Sequence, residues 1–493
     1  MTSVKNTEWE TLLGELITNK GNQVYLVDTE ESQEYTYDDL FCQSISIKKI
    51  LKKRVDKGQC VGVMLSKSSL YLPTLLACWQ LGIIPAILDN QIPAHRLSQI
   101  KSLVNFQYLL VDKEYSEYEL VDQLILERIS YNNKPISQIK LGIDENSDPS
   151  VLLFSTGTSG LPKCVPLSLS NILRNVESFK ARLKIDKNPV LLCTSPLSYA
   201  HGLYNSFLTT LALGGKVVNG GTLNVFNAEE ILIAARVNNV SIFHITPSMI
   251  PILTMIGKRT KETLPNFQYV ICGTARLRLE DKKIFESVYK IPITQQYGMT
   301  ESLFIAINSD SQDRKVESVG LPIGCKLKVL NDQGLATNDN ESGNVVVKSE
   351  SCFGSYYNQE DETKLSYRDG WFHTGDLGFI DQDGYLTIVG RKKEIIKKGG
   401  FNINPREIDN ILCKYDGVIE VVTIGVSDLV YGEDIYSFVL ADKSVAVQEL
   451  HSYCRKCMQP LHVPKKIHIL KEFPRSKSGK ILTNNLKKIA LEL

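Results

Sequence analysis

The chain has 493 residues, 43% of them hydrophobic and 23% charged, with 56 Lys+Arg against 55 Asp+Glu. That length exceeds one ordinary hydrophobic core and predicts two or three domains, and the composition excludes a disordered, collagenous or coiled-coil polymer. A formal net charge of +1 excludes any general attraction to nucleic acid or anionic membrane, so binding must reside in local sites.

The opening segment MTSVKNTEWETLLGELITNK has no basic start followed by an apolar core, and the 11 cysteines follow no framework spacing. Both features predict reduced thiols in a cytoplasm. No apolar run reaches the roughly 18 to 20 residues needed to cross a bilayer. LGIIPAIL, among the longest, is interrupted by Pro85 and closed by Asp89.

From about residue 23 to 330, short β-branched runs (QCVGVML, IIPAIL, FQYLLVD, VLLFS, PVLLCT, GKVVNG, SIFHIT, FQYVICG, PITQQYG) alternate with stretches of helical period. This rhythm predicts an α/β fold of layered, largely parallel sheets. Hairpin signals in LNDQGLA and DQDGYLTIVG mark a mostly β subdomain at about 316–390. Beyond it, residues 391–493 hold 18 Lys and Arg against 12 Asp and Glu and form a small α+β pattern. The expected domains are therefore 1–390 and 391–493, with the hydrophilic RKKEIIKKGG as the hinge between them.

Four segments carry chemistry. In VLLFSTGTSGLPKCVPLS an apolar strand ends in Ser155, Thr156, Gly157, Thr158, Ser159 and Gly160, followed by Lys163. Hydroxyls, backbone N–H groups and one cation at a strand end suit phosphate oxygens. The segment departs from a Walker A loop because Leu161 and Pro162 separate Gly160 from Lys163. The following helix is expected to start near Ser170, a good N-cap. In ITQQYGMTES, Tyr297 offers a stacking face, Gly298 a turn, Thr300 a hydroxyl and Glu301 a hard oxygen for Mg²⁺. In GWFHTGDLG, Asp376 has lone pairs for a vicinal diol, with Arg391 a nearby donor. In FPRSKSGKIL, Lys480 follows the flexible Ser478-Gly479 and could deliver a cation to developing negative charge. Taken singly, each has a plainer explanation as a turn or a solvated charge.

Together, in this order across residues 151–483, the four segments resemble the adenylate-forming superfamily: acyl-CoA and aryl-CoA synthetases, firefly luciferase and the adenylation domains of peptide synthetases. The resemblance implies a large N-terminal domain and a small mobile C-terminal one. It implies that Ser155 to Gly160 and Lys163 cradle the β- and γ-phosphates of ATP, Ala275 and Tyr297 flank adenine, Thr300 touches the α-phosphate, and Glu301 holds Mg²⁺. Asp376 and Arg391 would hold the ribose, and Lys480 would bridge the carboxylate and the α-phosphate. Lys393 would be the hinge residue, with Lys397, Gly399 and Gly400 moving toward the thiol in the second step. The acceptor would be CoA or the phosphopantetheine of a separate carrier protein.

Three positions depart from the family pattern: Tyr199 where a His is frequent, Thr274 and Arg276 where Gly and Pro are frequent, and Thr483 where Arg is frequent. The acid is expected among Tyr199, His201, Gly202, Leu203, Phe207, Cys272, Gly273, Thr274 and Phe304, an apolar and aromatic set with a few hydroxyls that suits an aryl or aliphatic acid. Amino-acid-activating members place an Asp in the segment matching SPLSYAHG, whereas no acid occurs here between Asp186 and Glu229. An amino-acid adenylating enzyme is thus the second expectation. A P-loop kinase is disfavoured by the placement of Lys163, and a silent binding protein by the intact Lys480, Glu301, Asp376 and Arg391. Cys454 and Cys457 form a lone pair in a helical pattern and are read as incidental.

Overall fold

The computed structural model describes residues 7–118, 121–128, 138–155, 162–185, 188–260, 267–309, 315–442, 445–475 and 481–492. The chain divides into two compact units, one of Met1–Lys326 with Val347–Phe372 and one of Leu327–Val346 with His373–Leu493.

The first unit holds two large sheets. The nine-stranded sheet runs, edge to edge, through Leu321–Pro322, Leu303–Asn308, Ile293–Met299, Tyr269–Cys272, Ile242–Ile245, Val190–Cys193, Lys216–Asn219, Val24–Asp28 and Gln33–Thr36. Its six central strands are parallel, and antiparallel strands close both edges. The six-stranded sheet orders Asp122–Ile125, Tyr108–Val111, Cys60–Met64, Ile84–Ile87, Val151–Ser155 and Lys163–Leu167, with only the last strand antiparallel. Strands covered on both faces must be apolar throughout, which is why VLLC, IPAI and CVGVM read as continuous runs rather than alternations. Loops at the carboxyl ends of such strands are where α/β sheets bind ligands, and Ser155, Gly273 and Thr246 all sit there.

Helix Leu169–Leu183 lies beside the nine-stranded sheet. Its N-cap is Ser168, not Ser170 as the sequence suggested: the Ser168 hydroxyl accepts from Asn171 N, and the Asn171 side chain accepts from Ser168 N. Asparagine thus completes a reciprocal cap usually made by Glu or Gln. One turn on, Asn175 is 0% exposed. Its Nδ2 donates to Phe304 O at 2.9 Å and to Ser351 Oγ at 3.1 Å, and its Oδ1 accepts from Phe304 N at 3.0 Å and from the Tyr204 hydroxyl. A single side chain therefore joins the helix, an edge-side strand, the segment around Ser351 and the helical segment carrying Tyr204.

The second unit is built on a sheet ordered Phe401–Ile403, Ile396–Lys398, Gly432–Ala441 and Val418–Asp428, with Lys466–Leu470 parallel to Gly432–Ala441. Helix Pro405–Leu412, capped by Asn404 with Pro at its first position, buries Ile408 and Leu412 against Ile435, Val439 and Leu450. Strands Ile396–Lys398 and Phe401–Ile403 meet through Gly399 and Gly400, at φ 57° and 84°. Two consecutive positive φ values define the turn that matches strand twist in a two-residue hairpin, and glycine adopts them without strain. Helix Val447–Cys457 turns Cys454 into the core and leaves Cys457 exposed.

Replacing Asn175 by Leu strands the Phe304 peptide and the Tyr204 hydroxyl without partners. Each buried orphan costs about 1–3 kcal/mol, so the variant is expected to lose at least about 3 kcal/mol, read as a lowered urea midpoint.

Candidate active site

Strand Val151–Ser155 delivers Ser155 to the sheet edge, and the returning strand brings Lys163 opposite it. Thr156, Gly157, Thr158, Ser159 and Gly160 lie outside the described residues. Lys163 Nζ is 2.8 Å from Glu362 Oε2 and 4.7 Å from the ring centre of Tyr356. The Tyr356 hydroxyl in turn donates to Glu301 Oε1 at 3.0 Å. Burial, and then the neighbouring Glu301, push this phenol well above its ordinary value, so it stays a donor. Gln359 fastens the same segment to the returning strand: its Oε1 accepts from Cys164 N at 2.8 Å and its Nε2 donates to Pro162 O at 3.1 Å. A cation, a phenol and a carboxylate are thereby linked into one row.

Glu301 lies in the turn between strands Ile293–Met299 and Leu303–Asn308, and is 5% exposed. The preceding strand carries a bulge between Tyr297 and Gly298, which leaves Tyr297 and Thr300 half-buried. A Cβ at Gly298 would stand 2.2 Å from Leu303 O, so no side chain fits. After strand Tyr269–Cys272, Gly273 N donates to Ile245 O at 3.2 Å, Thr274 takes φ 71° and Ala275 is exposed. A β-branched residue in the left-handed region is strained where glycine would be free. Cys272 packs instead with Val270, Met249, Phe285 and Tyr289 in a core away from His201, and burial pushes its thiol well up.

Tyr199 is half-buried and its phenol is pushed up to about 12, by burial first and then by Asp89, with which it shares a hydrogen bond. His201 Nδ1 pairs with Ser195 Oγ at 2.8 Å. A Cβ at Gly202 would lie 2.3 Å from Pro196 O, so the chain turns here only with glycine. The following six residues, Leu203–Leu208, form a π-helix that places Tyr204 and Phe207 in the core. Beside His201, at 6.2 Å and edge-on, stands His244 of strand Ile242–Ile245. Its ring lies parallel to Phe304 at 5.9 Å and stacks on Phe179 at 6.0 Å. Burial holds His201 down to about 4 and His244 down to about 3, the latter helped by His201.

In the second unit, Asp376 and Arg391 face one another across the hairpin of Trp371–Ile380 and Leu386–Arg391, with Arg391 Nε 2.9 Å from Asp376 Oδ1. Asp376 is 3% exposed and its N–H donates to Thr374 Oγ1. Lys393 sits in the single turn Lys392–Glu394, exposed. Lys397 is also exposed, while the adjacent Lys398 is buried against Asp434 at 2.6 Å. Lys480 lies outside the described residues. Sequence reasoning missed Tyr356, Glu362, Asp89 and His244. Only His244 carried a signal, as a polar residue inside the apolar run SIFHIT.

Comparison with known proteins bears on this arrangement. A family described as AMP-binding enzyme matches residues 15–357, and one described as AMP-binding enzyme C-terminal domain matches residues 407–480. The oxalate–CoA ligase of Arabidopsis thaliana is 30% identical over 345 residues, 69% of this chain and 67% of that one. The 2-succinylbenzoate–CoA ligase of Bacillus subtilis is 27% identical over 470 residues, 93% of each chain. The solved o-succinylbenzoate CoA synthetase of Bacillus subtilis, in complex with an acyl-adenylate, superimposes with a TM-score of 0.85 at 24% identity, covering 97% of both chains. The layered large unit and small C-terminal fold expected from the sequence are those of this fold.

Two outcomes are expected. Thr274→Gly relieves left-handed strain of about 1 kcal/mol and raises the melting temperature. The two depressed imidazoles make stability complete above the ordinary histidine value of 6.5 and progressively lost as pH falls toward about 4 and about 3, because only the unfolded chain takes up protons in that window. Denaturation midpoints measured from pH 7 to 4 check this, and His244→Phe flattens the slope.

Proposed function

As the chain belongs to the AMP-binding enzymes, we propose that it activates a carboxylic acid that lacks an α-amine and passes the acyl group to CoA. The enzyme is an AMP-forming acid–thiol ligase of the acyl-CoA synthetase type, using ATP and Mg²⁺. A carboxylate oxygen attacks the α-phosphorus of ATP, the bond to the β-phosphate breaks, and pyrophosphate leaves. The thiol then attacks the acyl carbonyl, and AMP leaves.

The observation that carries this reading is the row Lys163–Tyr356–Glu301 at the strand ends of the first unit. The reaction brings a carboxylate onto a polyphosphate, so the protein's task is to position two anions and neutralise them. Lys163, held by Glu362 and by the Tyr356 ring, is the cation for the β- and γ-phosphates, with Ser155 to Gly160 supplying hydroxyls and N–H groups. Glu301 is a hard oxygen donor whose orientation is fixed by the Tyr356 hydroxyl, the donor set that Mg²⁺ takes. Bound there, the metal would neutralise phosphate charge. Thr300 contacts the α-phosphate, Tyr297 and Ala275 flank the adenine, and Asp376 with Arg391 takes the ribose hydroxyls. Lys480 bridges the two reacting anions.

We assign the acid to the region of Tyr199, His201, Gly202, Gly273 and Thr274. The segment between Asp186 and Glu229 holds no acidic residue to pair with an α-ammonium, the carboxylate beside Tyr199 is Asp89 and is shared with that phenol, and the relatives named above are ligases of acids without an α-amine. Lys393 serves as the pivot, and Lys397, Gly399 and Gly400 serve the thiol step. CoA is the acceptor on the strength of the relatives' names, and a carrier-protein phosphopantetheine is the alternative.

Incubation with ATP, Mg²⁺, hydroxylamine and a panel of acids is expected to release pyrophosphate with aryl or aliphatic acids and not with their α-amino counterparts. Release confined to amino acids would overturn the choice of acid. Lys480→Ala is expected to lower adenylate formation at least about 100-fold with ATP binding retained. Tyr356→Phe, which removes the phenol's hydrogen bond to Glu301, is expected to raise the Mg²⁺ concentration for half-maximal rate several-fold, read by metal titration.

A further inference from the structure

His244 is 1% exposed, and neither ring nitrogen has a hydrogen-bond partner among the described residues. Buried polar groups are nearly always paired, and a lone orphan costs stability that a phenyl ring of similar shape would not. The rings that face it, Phe179 and Phe304, offer no hydrogen bond through their flanks, and no carboxylate or cation is among its ring neighbours. Its other ring neighbour is His201, half-buried, whose Nδ1 pairs with Ser195 Oγ. The orphan imidazole therefore lies one ring's depth behind a partly open one. The helical segment that follows His201 is wound as a π-helix, a departure that recurs at functional sites because it re-aims side chains.

We propose that His244 and His201 form the specificity end of the acid pocket and receive an uncharged hydrogen-bonding group, a hydroxyl or a carbonyl, on the end of the acid remote from its carboxylate. The proposal rests on the ligase reading and narrows its substrate class. A neutral imidazole presents one donor and one acceptor, so the pair can answer either group. The depressed titration of both rings keeps them neutral at physiological pH, which disfavours a second charged carboxylate at this depth. A hydrocarbon end would leave His244 unpaired, and pockets built around a polar group reject analogues that lack it.

The test compares kcat/KM for pyrophosphate release with pentanoate, 4-oxopentanoate, 5-hydroxypentanoate and glutarate, and with 4-ethylbenzoate and 4-acetylbenzoate. The wild-type chain is expected to favour the oxo, hydroxy or acetyl member of a set by at least about 10-fold. In His244→Phe that ratio should fall toward one, and in His244→Gln, which keeps a donor and an acceptor, part of it should return. Melting curves confirm folding, and His244→Phe should melt higher than wild type. Equal rates for polar and hydrocarbon acids, a preference for glutarate, or an unchanged ratio in His244→Phe would each overturn the proposal and leave the ligase reading intact. No release with any acid, despite ATP binding, would overturn both.

Discussion

The first unit depends on satisfying backbone and side-chain polarity where a helix meets the antiparallel edge of the nine-stranded sheet. Asn175 is the point at which this is done. Its amide closes hydrogen bonds to both the N–H and the C=O of Phe304, to Ser351 and to Tyr204. The strand so held, Leu303–Asn308, is paired to the strand that carries Tyr297 and Gly298, and the turn between the two presents Thr300 and Glu301. Phe304 in turn forms the wall against which His244 stacks. One buried amide thus fixes the register of Glu301 on one side and of the ring stack around His244 on the other. Apolar packing could bring these elements together, but only a saturated polar contact selects a single register.

The chemistry imposes a second constraint, because two anions must be held within bonding distance. The chain answers with few cations and with groups that orient them. Lys163 is not left to sample its rotamers: a carboxylate and an aromatic face hold it. Glu301 is oriented by a phenol, and Asp376 by an arginine directly across a hairpin. In each case a charged side chain is accompanied by one that limits its motion. Pre-organisation of this kind lowers the cost of gathering charge at the moment of reaction.

Much of this was legible in the sequence. Strands such as Cys60–Met64, Val190–Cys193 and Ile242–Ile245 were marked by continuous apolar runs, since burial on both faces leaves no room for alternation. The hairpin turn at Asp381–Tyr385 was marked by an Asp-Gly pair that tolerates unusual φ, whereas Gly399–Gly400, read from the sequence as part of a hinge, turns a second hairpin. Asp376 and Arg391 were read together from the sequence, and the structure pairs them across a hairpin. What was not legible depends on contacts between distant segments. Tyr356 and Glu362 lie more than fifty residues from the groups they orient, and nothing local distinguishes them from other aromatic or acidic residues. The start of helix Leu169–Leu183 was misplaced by two residues because two serines offered comparable caps and only the side-chain geometry of Asn171 decides between them.

The pairing of Lys163 with Glu362 has a further consequence. An ammonium held by a carboxylate at 2.8 Å and by an aromatic face at 4.7 Å is not a bare positive charge. Any anion taking this position would have to displace Glu362 as well as shed its own water, so its affinity would be a difference between two ion pairs. That difference would respond to ionic strength less steeply than the affinity of a lone lysine, because salt screens the outgoing partner as well as the incoming one.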